Sequence, residues 1–101
     1  MIAHTQRLPA QVRPYKKSVV FDETSMPAAL RRQHCTKAGV WGMIRVIDGR
    51  LRYRVLDSGA QSILDPQHPG IAQPGEMHEV EPLGRVRFLI EFYSVPSAGR
   101  T

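Results

Sequence analysis

The stretch Val40-Trp-Gly-Met-Ile-Arg-Val-Ile47, followed by Asp48-Gly49 and Arg50-Leu-Arg-Tyr-Arg-Val55, decides the fold class. Its first part is a dense apolar run with no helical period, and Asp48-Gly49 is a strong hairpin-turn signal. Beyond that pair, Leu51, Tyr53 and Val55 alternate with Arg52 and Arg54, the period of a strand with one apolar and one basic face. The rhythm extends in both directions. Tyr15 to Phe21 reads as a first strand. Ser58-Gly59 turns the chain into a short strand around Ser62-Ile63-Leu64, and Ile71-Ala72 is another. His78 to Glu81 and Val86 to Tyr93, separated by Pro82-Leu83-Gly84, read as a closing hairpin. In the last of these, Val86, Phe88, Ile90 and Phe92 share one face, and Arg87, Leu89, Glu91 and Tyr93 the other. The only helical signal is short: Asp22 to Ser25 is cap material, and Pro27 opens a turn or two to Arg32. Many short strands with Gly/Pro turns between them predict an all-β, antiparallel sandwich or barrel.

Length and charge narrow the function classes. A chain of 101 residues holds one domain, here divided into an extended arm over 1–14, a barrel over 15–95 and a tail over 96–101. A single cysteine forbids an internal disulfide. With no apolar leader or bilayer-length run, the expectation is a cytoplasmic protein without membrane association. The formal charge is +5, but Arg7, Arg13, Lys16 and Lys17 precede the first acidic residue, Asp22, and account for four of those charges. The remainder is nearly balanced, and no basic face with interleaved aromatics exists to track phosphates, so nucleic acid is not an expected partner. A small chain with strands apolar on more than one face suits a homodimer.

The chemistry-bearing residues cluster in His34-Cys-Thr-Lys-Ala-Gly-Val-Trp-Gly42 and after the Pro74-Gly75 turn, at His78. Both blocks lead into apolar strands, the layout of a site inside a barrel. Lys37, with Arg45, offers cationic groups for a small anionic ligand, and Trp41 could floor its pocket. Arg52 and Arg54 read more simply as a solvated strand face. Cys35 points opposite to His34 in an extended segment and reads as structural. Glu91, between Ile90 and Phe92, is costly to bury unpaired if it faces the interior, which makes it the third candidate donor beside the histidines. Glu76 is the alternative.

Taken with Arg13-Pro-Tyr-Lys16, Val20-Phe-Asp-Glu-Thr24, Pro27-Ala-Ala-Leu-Arg-Arg32, Gly49-Arg-Leu-Arg-Tyr-Arg54, Pro69-Gly70, His78-Glu-Val-Glu-Pro82 and Phe88-Leu-Ile-Glu-Phe-Tyr93, the His34–Gly42 block resembles the small TehB/YeaR-like family over nearly the whole chain from Leu8 to Tyr93. The resemblance implies a single-domain cupin-type β-barrel, a jelly roll with one short helix near 27–32. It also implies a setting in stress response or tellurite resistance, since related domains precede a methyltransferase in some tellurite-resistance proteins. Cupin metal sites combine a His-x-His and a Glu with a later His. Here the first motif is reduced to His34-Cys-Thr36, while Pro74-Gly-Glu-Met-His78 keeps the second. The expected site is therefore His34, His78 and Glu91 around a divalent zinc-, iron- or nickel-like ion, with Lys37, Trp41 and Arg45 near a small ligand. Hydrogen-bonded histidines without metal are the competing reading. A metal-dependent enzyme and a non-catalytic sensor or interaction module are the alternative functions, and no residue is assigned a catalytic role.

Overall fold

The computed structural model describes residues 8–31 and 36–96. In these the elements run β1 (Arg13–Lys17), β2 (Phe21–Asp22), a 3-10 turn at Ala28–Arg31, β3 (Val40–Val55), β4 (Gln61–Leu64), β5 (Gly70–Ala72) and β6 (His78–Ser94). They form one antiparallel sheet in the order β1-β6-β3-β4, with β2 also on β6 and β5 also on β3. The all-β class is as the residue pattern predicts, and the architecture is a cupin-like barrel or sandwich with one short 3-10 turn.

Two of the turn signals mark something else. Asp48-Gly49 is not a hairpin, and neither is Pro82-Leu83-Gly84. Both lie inside the long strands β3 and β6, which pair continuously from Val40↔Ser94 to Val55↔His78. Register shifts between Val46 and Asp48 and between Gly49 and Leu51 make this a bulged region in mid-sheet. Gly49 takes φ +87, and a Cβ on it would lie 2.1 Å from the Arg85 carbonyl oxygen. Nearby, the Val86 N–H donates to Glu23 Oε1 at 3.0 Å, tying the turn after β2 to the bulge. That turn is itself fixed by Asp22, whose Oδ1 accepts from the Thr24 N–H and hydroxyl and from the Ser25 N–H, each at 2.8 Å. Chiefly through the Thr24 hydroxyl, these donors hold the Asp22 carboxyl down at about 2.

The bulges let both halves of the β3–β6 pair line one core. Ile44, Val46 and Phe88 come from one half, and Leu51, Tyr53, Val55 and Val80 from the other. Met26 and Leu30 cover the core from the segment around the 3-10 turn, and Leu64 and Ala72 join it from β4 and β5. On the outer face, direct cross-strand neighbours form ion pairs: Arg52 with Glu81 at 2.7 Å, and Arg54 with Glu79. Such half-exposed pairs add about 0.2–1 kcal/mol each and chiefly favour this register over its neighbours. The basic face of β3 is therefore a solvated face.

Replacing Gly49 with Ala should be the most damaging glycine substitution in the sheet. The positive φ and the approach of the Arg85 carbonyl act together, and a loss above about 3 kcal/mol in urea unfolding is expected. Gly59→Ala is the control. Gly59 has φ +75 but nothing within 4 Å of an added Cβ, so only the backbone cost of about 1–2 kcal/mol should appear. Equal losses at the two positions would mean that the close approach contributes nothing.

Candidate functional site

The two polar blocks of the sequence meet at the Pro74-Gly75 turn. Thr36 forms a parallel bridge with Pro74. Its hydroxyl donates to the Gln73 carbonyl at 3.2 Å, and its own carbonyl accepts the Gly75 N–H at 3.3 Å. The segment leading into β3 is thus held against the turn that leads into His78. His34 and Cys35 lie outside the described residues.

His78 opens β6 on the inner face, 2% exposed. Its Nδ1 is 3.1 Å from the Glu76 carbonyl oxygen, which can only accept, so Nδ1 carries a proton and donates it there. The Tyr53 ring packs against the imidazole, with centroids 5.2 Å apart and planes inclined by 31°. Tyr53 is 4% exposed, and its buried hydroxyl has no hydrogen-bond partner among the described residues. Burial pushes the phenol pKa well up, and the negative charge of Glu76 adds to the rise. Tyr53 also forms part of the wall of a pocket of about 100 Å³, together with Val55, Ser62, Leu64 and Ile71. The interior therefore holds an imidazole beside a phenol whose hydroxyl finds no partner among the described residues.

The remaining predicted residues are not gathered there. Val86 and Phe88 belong to the core and Ile90 packs against it, so Glu91 lies on the opposite face of β6. There its Oε1 accepts from Arg45 Nε at 2.7 Å and from the Tyr93 hydroxyl at 3.1 Å. This corrects the expected grouping of His78 with Glu91: the register turns Glu91 outward, where Arg45 supplies the charge it needs. Burial raises the Glu91 carboxyl, but the Arg45 and Tyr93 hydrogen bonds and the charges of Arg45 and Lys17 outweigh it, and the net shift is downward. The same hydrogen bond raises the Arg45 guanidinium. Trp41, opposite Tyr93, shares the outer face with Arg45, so neither lines the interior beside His78. Lys37 is exposed in the turn before β3, where its carbonyl accepts the Val40 N–H. Among the described residues, no three His, Cys, Asp or Glu side chains converge as a metal cluster. The sequence reading missed Tyr53, which it treated as one apolar member of an alternating strand. The only available signal was that a phenol on a buried face carries a hydroxyl needing a partner.

The family model of the TehB-like domain matches residues 16–90. Two sequence relatives, each named probable S-adenosyl-L-methionine-dependent methyltransferase TehB and each from a strain of Haemophilus influenzae, are 32% and 31% identical over 74 residues. Each match covers 68% of this chain but only 26% of the relative. The crystal structure of TehB from Haemophilus influenzae superposes with a TM-score of 0.78 at 28% identity, over 85% of this chain and 32% of that one. A crystal structure of a protein from Escherichia coli strain K12 reaches a TM-score of 0.83 at 17% identity, over 92% of this chain and all of that one, a likeness of fold.

The geometry makes two predictions about stability. Tyr53→Phe removes a buried hydroxyl that has no partner, so the ligand-free protein should gain about 1 kcal/mol in chemical denaturation. A loss of that size would mean that the hydroxyl is satisfied. For Glu91, the folded pKa lies below its ordinary 4.5, so its contribution is complete above pH 4.5 and is lost as pH falls through the lower folded value. The stability difference between wild type and Glu91→Gln should therefore shrink on acidification below about pH 4.5. A difference that stays constant there would rule out the ionised pairing.

Proposed function

Because this chain belongs to the TehB-like domain family, we propose that it is a ligand-binding β-domain whose interior, at Tyr53 and His78, takes up one small molecule or ion. The observation that carries this reading is the buried Tyr53 hydroxyl, unpartnered among the described residues, on a ring packed against the buried His78 imidazole. Stability alone would favour phenylalanine there, whereas a bound acceptor would satisfy the phenol. Methyl transfer is named for relatives of which this chain spans 26%. For this chain we propose ligand capture rather than chemistry, in a stress-response setting of the kind the family likeness suggests.

A divalent metal is the second reading, favoured by one feature of His78. An Nδ1–H held by a backbone carbonyl is how metal-ligating histidines are commonly oriented. The described residues alone do not complete such a centre, and His34 is the first further donor to test.

Elemental analysis and native mass spectrometry of gently purified wild type and His78→Asn test both readings. The wild type should retain a bound ion or small molecule, and occupancy should fall at least about tenfold in the variant with unchanged circular dichroism. The binding reading falls if the wild type purifies empty and shows no thermal shift with zinc, iron(II) or nickel salts or with a metabolite extract.

A further inference from the structure

On the outside of the molecule, we infer that the sheet face ahead of the bulge seats a second copy of this chain, related by a two-fold axis beside the Arg45–Glu91 pair. The register sets this face in rows. Lys17, Glu91, Met43 and Ile71 follow one another across β1, β6, β3 and β5, while Tyr93 is opposite Trp41 and Leu89 is opposite Arg45. Ile44, Val46, Ala72 and Phe88 belong to the core, so the positions between them look the other way. Ile47 continues the face at the edge of the bulge and is 42% exposed. The contrast with the same two strands beyond the bulge is sharp. There the outer face is a ladder of charges, Arg52 with Glu81 and Arg54 with Glu79. Here it is an aromatic pair, a methionine and aliphatic side chains around one arginine, the composition of an interface core rather than of a solvated sheet.

Charge identifies the occupant. Arg45 and Glu91 lie at the centre of the face, already joined at 2.7 Å, and the Tyr93 hydroxyl also donates to Glu91. A face whose central charges cancel offers little to a nucleic acid or an acidic peptide. It is complementary to itself, however. A two-fold axis beside the pair brings Arg45 of one protomer to the partner's Glu91, and the reverse, so that four charges alternate in sign. Because each charge is hydrogen-bonded before association, none is left unpaired when the faces meet. Size fits the same occupant. Four strands about 4.8 Å apart, with seven residues from Trp41 to Ile47 at about 3.3 Å each, make a face about 20 Å on a side. Two such faces take roughly 1,000 Å² out of water, the lower end for a specific interface, so the dimer is a reversible one.

Sedimentation equilibrium of the full-length protein tests this, with circular dichroism to confirm that each variant is folded. Wild type should pass from monomer to dimer between about 1 and about 500 μM. Arg45→Glu and Glu91→Arg should each raise the dissociation constant at least about tenfold, because like charges then meet across the axis. An equimolar mixture of the two variants should return to dimer mass, since one face has become acidic at its centre and the other basic. Ile47→Lys, at an exposed position whose change leaves the core intact, should weaken the dimer about fivefold or more. A wild type that stays monomeric up to about 500 μM overturns the proposal and its choice of a second copy as the occupant. A trimer or larger assembly also overturns it, because a two-fold contact closes at two. A dimer that all three single variants leave unchanged lies on another surface, and a mixture that remains monomeric removes the axis from the Arg45–Glu91 pair.

Discussion

The approach of Gly49 to the Arg85 carbonyl is the contact on which the rest of the architecture depends. β3 and β6 are 16 and 17 residues long. A straight strand of 16 residues would span ~50 Å, more than the 44 Å of the longest molecular dimension. The pair must therefore bend, and it does so where a residue without a Cβ lets the two backbones come together. Glu23 secures the same place from outside by accepting the Val86 N–H. Without that bend, Leu51, Tyr53, Val55 and Val80 would not share a core with Ile44, Val46 and Phe88, and no interior would exist.

The bulge also decides which side chains that interior contains. Before it, the buried positions of β3 are Gly42, Ile44 and Val46; after it they are Leu51, Tyr53 and Val55. The inward register changes from even to odd numbers, which a regular strand cannot do. Carried through without the shift, the earlier register would turn Arg52 and Arg54 inward and Tyr53 out to solvent. The one extra β3 residue at the shift between Val46 and Asp48 thus places the phenol beside His78 and leaves the arginines free to meet Glu79 and Glu81. The buried phenol and the ion-paired exterior both follow from that shift.

This explains where the sequence was legible and where it was not. Strand periodicity is local, so the strands within Val40–Val55 and Val86–Tyr93 could be read directly, together with the two-faced split of the second. The Ser58-Gly59 turn could also be read, because both strands of its hairpin lie next to it. Asp48-Gly49 could not be told from a hairpin turn. A glycine at positive φ serves a turn and a bulge equally, and only the strand lying opposite, some 35 residues away, distinguishes them. Glu91 fails for a related reason. Its placement between Ile90 and Phe92 left the inward face undecided, and its partner Arg45 is 46 residues distant. The meeting of the block before β3 with the Pro74-Gly75 turn was legible in part, because both segments are polar, glycine-marked preludes to apolar strands. Thr36 and Pro74 are in fact paired.

Tyr53 was illegible because its apolar and polar halves give opposite signals. The ring obeys the alternation of Leu51 and Val55 and contributes to the core as they do, so the pattern absorbs it. The hydroxyl contributes nothing to that core and carries the cost of a lost hydrogen bond to water. A buried polar atom left unpaired in an otherwise well-packed interior is a cost confined to a few atoms, and its position indicates what would relieve it. Here it lies on a residue that packs against His78 on one side and shares a pocket wall with Ser62 on the other. The imidazole is already oriented by a backbone carbonyl, so the phenol is the group whose hydrogen-bonding capacity is left over. The bulged region between Val46 and Leu51 holds that phenol on the inner face.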